Sequence, residues 1–386
     1  MAKLFILNTD PLQALFRDNN FLVLVSLIIS FFISWVAMPS ILAVARKKSL
    51  VDLPNGRTSH EGAIPNLGGI ALFASLIITV LTFTNLQNFP SVQYITPGLV
   101  ILFFIGLKDD VLVISAHSKL LGQIISALVV VMLGNIRFTS LHGFLGIQGI
   151  SYLSSVLLTV FVIIVIINCF NLIDGIDGLA AGMGILTALI LSIYFLITGQ
   201  NEYILVSATL VGSLSAFLYY NVFSKKNKIF LGDTGAMILG YMMAILVIRF
   251  NEYNAMVMQP YAIHAAPAVS IALLFLPLYD VLRVFILRII NGQSPFHADR
   301  RHLHHLLISS GLSHRKATAL LLTMQLVFVG IGFAFQHLAI WQLTLLLLVV
   351  GLTFSLCVKA IHKNHTTKKK EKYRKTPWVA AMCQDE

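Results

Sequence analysis

Four polar runs in a mostly apolar sequence carry residue types that could do chemistry, and one of them is Lys108-Asp109-Asp110, with Lys119 nine residues after Asp110. Adjacent carboxylates repel each other, so the pair is favoured at an interface when a cation, a proton or a phosphate network uses it. A solvated helix end explains the pair equally well, and Lys119 alone is typical of a lysine that extends its ammonium group to a membrane surface. This run therefore indicates a functional site only in combination with the other three runs.

The second run, residues 168–182, carries an amide or a carboxylate at every third position: Asn168, Asn171, Asp174 and Asp177. This spacing predicts that the four side chains lie along one side of a tight helical turn. Gly175, Gly178 and Gly182 would let a ligand or a neighbouring helix approach the backbone closely. Glycine-mediated helix packing explains the glycines but not four polar groups in register, so the run favours a binding site.

The third run is Phe230-Leu231-Gly232-Asp233, at the start of an apolar segment. Asp233 is predicted either to cap the helix that follows or to bind Mg²⁺ that holds a diphosphate. Phe230 is either an interfacial aromatic residue or a platform on which a base stacks. Taken alone, this run fits a helix cap and an interfacial ring as well as it fits a site.

The fourth run, residues 294–307, holds a cluster of basic and imidazole side chains that includes Arg301, His302, His304 and His305. Arginine binds phosphate through parallel hydrogen bonds, and imidazoles donate hydrogen bonds to anions. A zinc site is the alternative, but the histidines have no accompanying cysteine and no regular ligand spacing. The run predicts an anion-binding loop that contains Asp299, and Arg57, Ser59 and His60 are auxiliary candidates from an earlier loop.

The segments that must position these residues are apolar along the whole chain. Of 386 residues, 57% are hydrophobic and 11% are charged, and the mean hydropathy is +0.85. A soluble domain is about a quarter charged. The deficit excludes a soluble enzyme with a single core, a disordered protein and a coiled coil. The three cysteines are far apart and predict neither a disulfide framework nor a zinc site.

Eleven apolar segments, of which residues 95–107 are short and residues 119–136 are interrupted by Gly122, Gln123 and Gly134, predict an all-α polytopic integral membrane protein. They are residues 21–45, 67–85, 95–107, 119–136, 153–169, 179–198, 203–221, 233–249, 267–290, 317–336 and 339–359. Residues 1–360 are predicted to form one transmembrane catalytic domain, and residues 361–386 a basic cytoplasmic tail that touches membrane lipid.

Basic residues predict the orientation, because lysine and arginine beside a span stay in the cytoplasm. With the N-terminus outside, all but four of the 27 lysines and arginines fall on one side; the exceptions are Lys3, Arg17, Arg137 and Arg249. The C-terminus and all four polar runs are then cytoplasmic. A transporter would be expected to place ionisable groups near the bilayer midplane, so the distribution favours a catalytic face over a conduit. Asp280 with Arg283 is the exception.

In this order, and on one predicted side of the membrane, the four runs resemble the polyprenyl-phosphate N-acetylhexosamine-1-phosphate transferases, the glycosyltransferase 4 family. The resemblance covers roughly residues 46 to 310. Glu61 stands where the muramyl branch has lysine, and residues 301–305 read Arg-His-Leu-His-His where that branch has three consecutive histidines. Both features are similar to the bacterial undecaprenyl-phosphate GlcNAc-1-phosphate branch. Asn221 resembles an asparagine of the muramyl branch less well, because its spacing from Phe230 differs.

The resemblance implies transfer of GlcNAc-1-phosphate from UDP-GlcNAc to undecaprenyl phosphate, with release of UMP, in the bacterial cytoplasmic (inner) membrane. This would be the first membrane step in the synthesis of a surface polysaccharide such as O-antigen, common antigen or teichoic acid. The alternatives are another UDP-N-acetylhexosamine as donor, or a membrane transporter or flippase. Nucleic acid is not expected as a partner, and a homodimer is left open.

The same resemblance implies individual roles. Asp233, with Asn171, would bind Mg²⁺, for which Mn²⁺ could substitute. Asp109 would orient or deprotonate the lipid phosphate, Asp110 would support it through metal-bound water, and Lys119 would neutralise phosphate charge. The residues expected to bind the nucleotide sugar are Asn168, Asn171, Asp174, Asp177, Phe230 and Arg301, with the catalytic histidines His302, His304 and His305 on the diphosphate and sugar.

Overall fold

The computed structural model describes residues 19–50, 64–84, 89–257, 260–294 and 301–374. Within these residues the fold is helical, and an isolated antiparallel bridge pairs Ser140 with Gly149. The helices are α1 (Asn19–Lys47), α2 (Gly68–Phe83), α3 (Val92–Leu112), α4 (Ala116–Leu128), α5 (Tyr152–Ile173), α6 (Leu179–Ile197), α7 (Asn201–Leu218), α8 (Gly232–Asn254), α9 (Ala266–Leu273), α10 (Phe275–Ile290), α11 (Leu303–Ser309), α12 (His314–Ala334) and α13 (Ile340–Arg374).

Each predicted apolar segment coincides with a helix or with a broken pair of helices. Eight described helices are long and apolar enough to cross a membrane, namely α1, α4 with its π-helical extension, α5, α6, α7 with its extension, α8, α12 and α13. A ninth span results if α9 and α10, which are bent by 79° at their junction, cross together. Helix α2 has only 16 residues. A polytopic helical membrane protein is therefore confirmed, whereas the number eleven and the orientation stay predictions.

Helix α8 lies at the centre of the described bundle, and almost all of its residues are buried. It packs against α2, α3, α5 and α6. A Cβ atom at Gly69 of α2 would collide with the backbone of Gly235 and the side chain of Thr234, and one at Gly106 of α3 would collide with the backbone of Thr234. All of these atoms belong to the first turn of α8. Small residues are typical of close contacts between membrane helices. These contacts fix the end of α8 that carries Asp233.

The segment before α8 is also held by backbone hydrogen bonds. Phe230 N donates to Pro65 O over 2.8 Å, and Gly68 N donates back to Phe230 O over 2.9 Å. Gly69 N then donates to Leu231 O over 2.8 Å. The chain that leads into α8 is therefore attached to the start of α2, and this attachment sets the direction in which α8 begins.

Candidate active site

The first three polar runs meet where α3 and α5 end and α4 and α8 begin. The ammonium nitrogen of Lys119 lies 2.5 Å from Asp109 Oδ2 and 2.9 Å from Asp233 Oδ1. Asn171 Nδ2 donates a hydrogen bond to the same oxygen of Asp233. The side chain of Asp109 is 6% exposed and that of Asp233 is 33% exposed. One cation is thus shared by two carboxylates, one buried and one open to a ligand.

Asp110 contacts the start of α8 instead. Its Oδ1 accepts a hydrogen bond from Asp233 N over 2.7 Å, and its Oδ2 accepts from Thr234 N over 3.0 Å and from Thr234 Oγ1 over 2.6 Å. Asp110, not Asp233, therefore provides the carboxylate that caps this helix. The interpretation of Asp233 as a helix cap was wrong, because its carboxylate is engaged by Lys119 and Asn171.

The loop after α5 contains Asp174 and Asp177, and their pKa values are shifted in opposite directions. Burial, and then the charges of Asp233, Asp110 and Asp177, raise the pKa of Asp174 well above its ordinary value. Burial acts in the same direction on Asp177, but hydrogen bonds from His314 and Lys228 and the charges of those groups outweigh it, so its pKa is lowered. Lys228 Nζ lies 2.6 Å from Asp177 Oδ2. Asp174 therefore lies in a region of excess negative charge, and Asp177 lies in a compensated one.

The predicted alignment of Asn168, Asn171, Asp174 and Asp177 along one side is not found. Helix α5 ends at Ile173, so the two aspartates lie beyond its last turn. Asn168 Nδ2 donates to Gln123 Oε1 of α4 over 2.8 Å, away from Asp233. Of the two amides, only Asn171 contacts Asp233, and Asn168 contributes to the packing of α5 against α4.

Phe230 lies beside the cation that pairs with Asp177, with Lys228 Nζ 5.5 Å from the ring centroid. Asn221 connects the two neighbouring loops: its Oδ1 accepts from Gly178 N over 2.6 Å, and its Nδ2 donates to Ile229 O over 2.9 Å. The second and third runs are thus joined by a buried amide that sequence reasoning identified only weakly.

The histidine run is held by the ion pair of Asp280 with Arg283 inside α10. Asp280 Oδ2 lies 3.0 Å from His302 Nδ1, and Asp280 Oδ1 accepts from Arg283 Nη2 over 2.8 Å. The backbone nitrogen of Leu303, the first residue of α11, also donates to Asp280. The sequence signal for this role was an ionisable pair in an apolar span, which membrane helices rarely retain without a partner.

His304 contacts the second run from the opposite side. It is 1% exposed, and a Cβ atom added to Gly175 would lie 2.5 Å from His304 Nε2. The rings of His304 and His305 lie 4.2 Å apart between centroids. Burial lowers the pKa of His304 to about 3, so the ring is neutral at physiological pH. His304 therefore offers a neutral donor or acceptor beside Asp174 and Gly175.

Arg301 lies at the edge of this cluster, where its Nη2 donates to Gln293 Oε1 over 3.0 Å. Arg301 O accepts a hydrogen bond from Arg283 Nη2 over 2.5 Å, which attaches the loop to α10. The further candidates Arg57, Ser59, His60 and Asp299, as well as Glu61, lie outside the described residues. Thr234, Gln123 and the partnership of Asp280 with His302 were missed by sequence reasoning.

Comparison of the sequence with those of known proteins shows its family. The sequence model of glycosyl transferase family 4 matches residues 92–251, which include the first three polar runs. The chain is 30% identical, over 86% of its length and 90% of the relative's, to a Bacillus subtilis protein named probable undecaprenyl-phosphate N-acetylglucosaminyl 1-phosphate transferase. The chain belongs to glycosyl transferase family 4.

Further family 4 relatives are named undecaprenyl-phosphate alpha-N-acetylglucosaminyl 1-phosphate transferase. The Pasteurella multocida protein is 31% identical over 80% of this chain and 85% of its own length. The protein of Escherichia coli O157:H7 is 26% identical over 83% of this chain and 86% of its own length. The resemblance read from the four runs is thereby confirmed, and this family 4 protein is a membrane transferase.

Proposed function

We propose that this family 4 protein transfers GlcNAc-1-phosphate from UDP-GlcNAc to undecaprenyl phosphate and releases UMP. The observation that carries the proposal is the cluster in which Lys119 bridges Asp109 and Asp233 at one end of the spans. Such a cluster suits a reaction in which charge on phosphate must be neutralised and held in place. The names of the relatives supply the donor and the acceptor.

The site is proposed to face the cytoplasm of a bacterial cell. Arg46 and Lys47 lie in the last turn of α1, and Arg46 Nη2 donates to Lys226 O over 2.6 Å. Lys228, two residues further on, pairs with Asp177 of the site region. The site thus shares its end of the bundle with basic residues that favour the cytoplasmic side. A UDP-sugar made in the cytoplasm would reach it directly.

In the proposed reaction a phosphate oxygen of the lipid attacks the β-phosphorus of UDP-GlcNAc. A new phosphoanhydride bond forms at the β-phosphorus, the bond from the β-phosphorus to the oxygen that bridges it to the α-phosphorus breaks, and UMP leaves with that oxygen. Because one phosphoanhydride replaces another, catalysis must come mainly from positioning and charge neutralisation. Lys119 is placed to contact phosphate, and Asp109 holds its ammonium group. The lipid phosphate is already ionised at neutral pH, so Asp109 acts by orientation.

Mg²⁺, or Mn²⁺ in its place, is part of the proposal. Among the described residues no three His, Cys, Asp or Glu side chains surround a common metal position. The donor set nevertheless fits a hard cation, because Asp233 is a partly exposed carboxylate, and burial together with three neighbouring carboxylates raises the pKa of Asp174. Asp233 would hold the ion with Asn171. Such an ion neutralises charge on a diphosphate.

An apolar cavity of about 350 Å³ supports a lipid acceptor. It lies between α5, α8, α9, α10 and α13, and its lining includes Phe161, Val165, Ile166 and Leu278. Ile166 precedes Asn171 by little more than one helical turn, but the lining continues to Asn251 near the end of α8 and to Ile340 at the start of α13, so the cavity extends away from the polar cluster along the spans. We assign it to part of the polyprenyl chain, whose phosphate would then lie near Lys119.

The proposal is tested by UMP release from purified protein in detergent. Undecaprenyl phosphate and MgCl₂ are supplied with a panel of UDP-sugars, with and without EDTA. The expected result is release that needs the lipid and the metal and is fastest with UDP-GlcNAc. Faster release from another UDP-N-acetylhexosamine would identify that sugar nucleotide as the donor in place of UDP-GlcNAc. If folded protein releases no UMP, the proposed transfer is wrong and transport is the alternative.

A further inference from the structure

The adjacent carboxylates Asp109 and Asp110 have different partners. Asp109 contacts the ammonium group of Lys119, which reaches on to Asp233. Asp110 contacts the backbone of Asp233 and the backbone and hydroxyl of Thr234. Asn66 Nδ2, at 3.5 Å, is a further neighbour of Asp110 Oδ1. The two residues therefore act on Asp233 by separate routes, one through a cation and the other through the start of a helix.

Helix α8 has no side-chain cap of its own. It begins at Gly232, and the preceding Leu231 makes no side-chain hydrogen bond to it. The first N–H groups of a helix have no partner within the helix, and a carboxylate that accepts from them stabilises its first turn. Asp110 supplies this carboxylate from α3. Gly232 has φ of +75°, and a Cβ atom there would lie 2.8 Å from both carboxylate oxygens of Asp110, so the glycine makes room for the cap.

The orientation of the Asp233 carboxylate depends on this first turn. Asp110 Oδ1 accepts from the backbone nitrogen of Asp233 itself, and Oδ2 accepts twice from the next residue. Any rotation of the turn would move the carboxylate away from Lys119 and Asn171. Thr234 is completely buried, so its hydroxyl has a fixed position from which to donate.

We propose that Asp110 is a positioning residue that orients Asp233 by capping α8 from a neighbouring span, with Thr234 as its partner. This inference rests on the proposed transfer reaction, and it replaces a role for Asp110 through metal-bound water. Asp110 then needs no contact with either substrate. Its effect on the rate passes through Asp233, and it requires the hydroxyl of Thr234.

The test is a double-mutant cycle of Asp110→Asn and Thr234→Val, with kcat and KM measured by UMP release using the best donor of the panel. Asp110→Asn replaces one acceptor oxygen by a donor, and Thr234→Val removes the hydroxyl at equal volume. Each change is expected to lower kcat about ten- to a hundredfold, because a small misplacement of a catalytic group is costly. The KM values should change less than about threefold, since no substrate contact is lost.

The two effects should be less than additive, because the bond from Thr234 Oγ1 to Asp110 Oδ2 is present only when both side chains are intact. The kcat of the double variant should therefore be within about threefold of the kcat of the less active single variant. Thr234→Ser keeps the hydroxyl and should lose less activity than Thr234→Val. Thr209→Val is the matched control, since Thr209 is a buried threonine of α7 that bonds only to its own helix, at Leu205 O. The Tm of each variant shows whether it is folded.

Additive effects, or a KM that rises about tenfold or more in Asp110→Asn, would overturn the positioning role and indicate a direct contact with substrate. A loss of folded protein with unchanged kcat per folded molecule would overturn it in favour of a purely structural cap. Failure of the wild-type protein to release UMP from any donor would instead overturn the proposed reaction, so the two failures are distinguishable.

Discussion

Lys119 Nζ lies 2.9 Å from Asp233 Oδ1 and 2.5 Å from Asp109 Oδ2, although the three residues belong to three different helices. The side chain of Lys119 is 20% exposed, so its ammonium group is open to a ligand on one side. In a partly buried position such a cation interacts more strongly with carboxylates than it would in water. The bridge therefore sets the charge balance of the whole site.

Replacement of Lys119 by methionine is expected to lower kcat/KM for UMP release by about 10²-fold or more, because a preorganised charge that faces phosphate is lost. Two carboxylates would also face each other without a cation. Lys119→Arg keeps the charge and should retain more activity. The matched control is Lys108→Met, since Lys108 is an exposed lysine of the same helix end as Asp109. An equal loss in both methionine variants would contradict the assignment.

The contact between Gly175 and His304 predicts a steric effect. In Gly175→Ala the new methyl group would lie 2.5 Å from His304 Nε2, and the ring is too buried to move freely. Overpacking of this kind costs about 1 to 3 kcal/mol. We expect a lower Tm together with slower UMP release, because the displaced ring belongs to a histidine expected to contact the diphosphate and sugar. Gly330→Ala is the control, since a Cβ atom there meets nothing within 4 Å. A Gly175→Ala protein with normal Tm and rate would refute the contact.

Burial of His304 predicts a loss of stability in acid. The pKa of His304 is lowered to about 3 by burial, whereas an unfolded histidine titrates near pH 6.5. Below about pH 6.5 the unfolded chain binds a proton that the folded chain does not, so stability falls with pH, and above that pH the effect is absent. At pH 5 the penalty is about 2 kcal/mol.

The measurement is the Tm between pH 7 and pH 5 for the wild type and for His304→Gln, which cannot titrate in this range. We expect a smaller fall in Tm for the variant. His264→Gln, at an exposed position, should fall as the wild type does. Parallel curves for all three proteins would show that His304 is not a source of the acid sensitivity.

The sequence predicted the helices and the polar runs because both are encoded locally. Length and apolarity determine where a helix can cross a bilayer, and the ends of these helices carry the polar groups. Asp109 and Asp110 contact different groups because the side chains of neighbouring residues on a helix point about 100° apart. Which of them faces Lys119 depends on how α3 packs against α4. The bond between Asp280 and His302 likewise needs the folded chain, because 22 residues separate them.

Asn221 joins the loop of Asp177 to the segment of Phe230, and its removal should weaken binding of the nucleotide sugar. Asn221→Asp keeps the acceptor for Gly178 N but loses the donor to Ile229 O, which leaves a buried carbonyl unsatisfied. We expect the KM for the UDP-sugar to rise about tenfold, with a smaller change in kcat, because the loops and not the Lys119 bridge are displaced. Asn221→Ala loses both bonds and should be worse than Asn221→Asp. Asn201→Ala, at the exposed start of α7, provides the control. If kcat falls while KM stays constant, Asn221 supports the reacting groups and not the nucleotide loops.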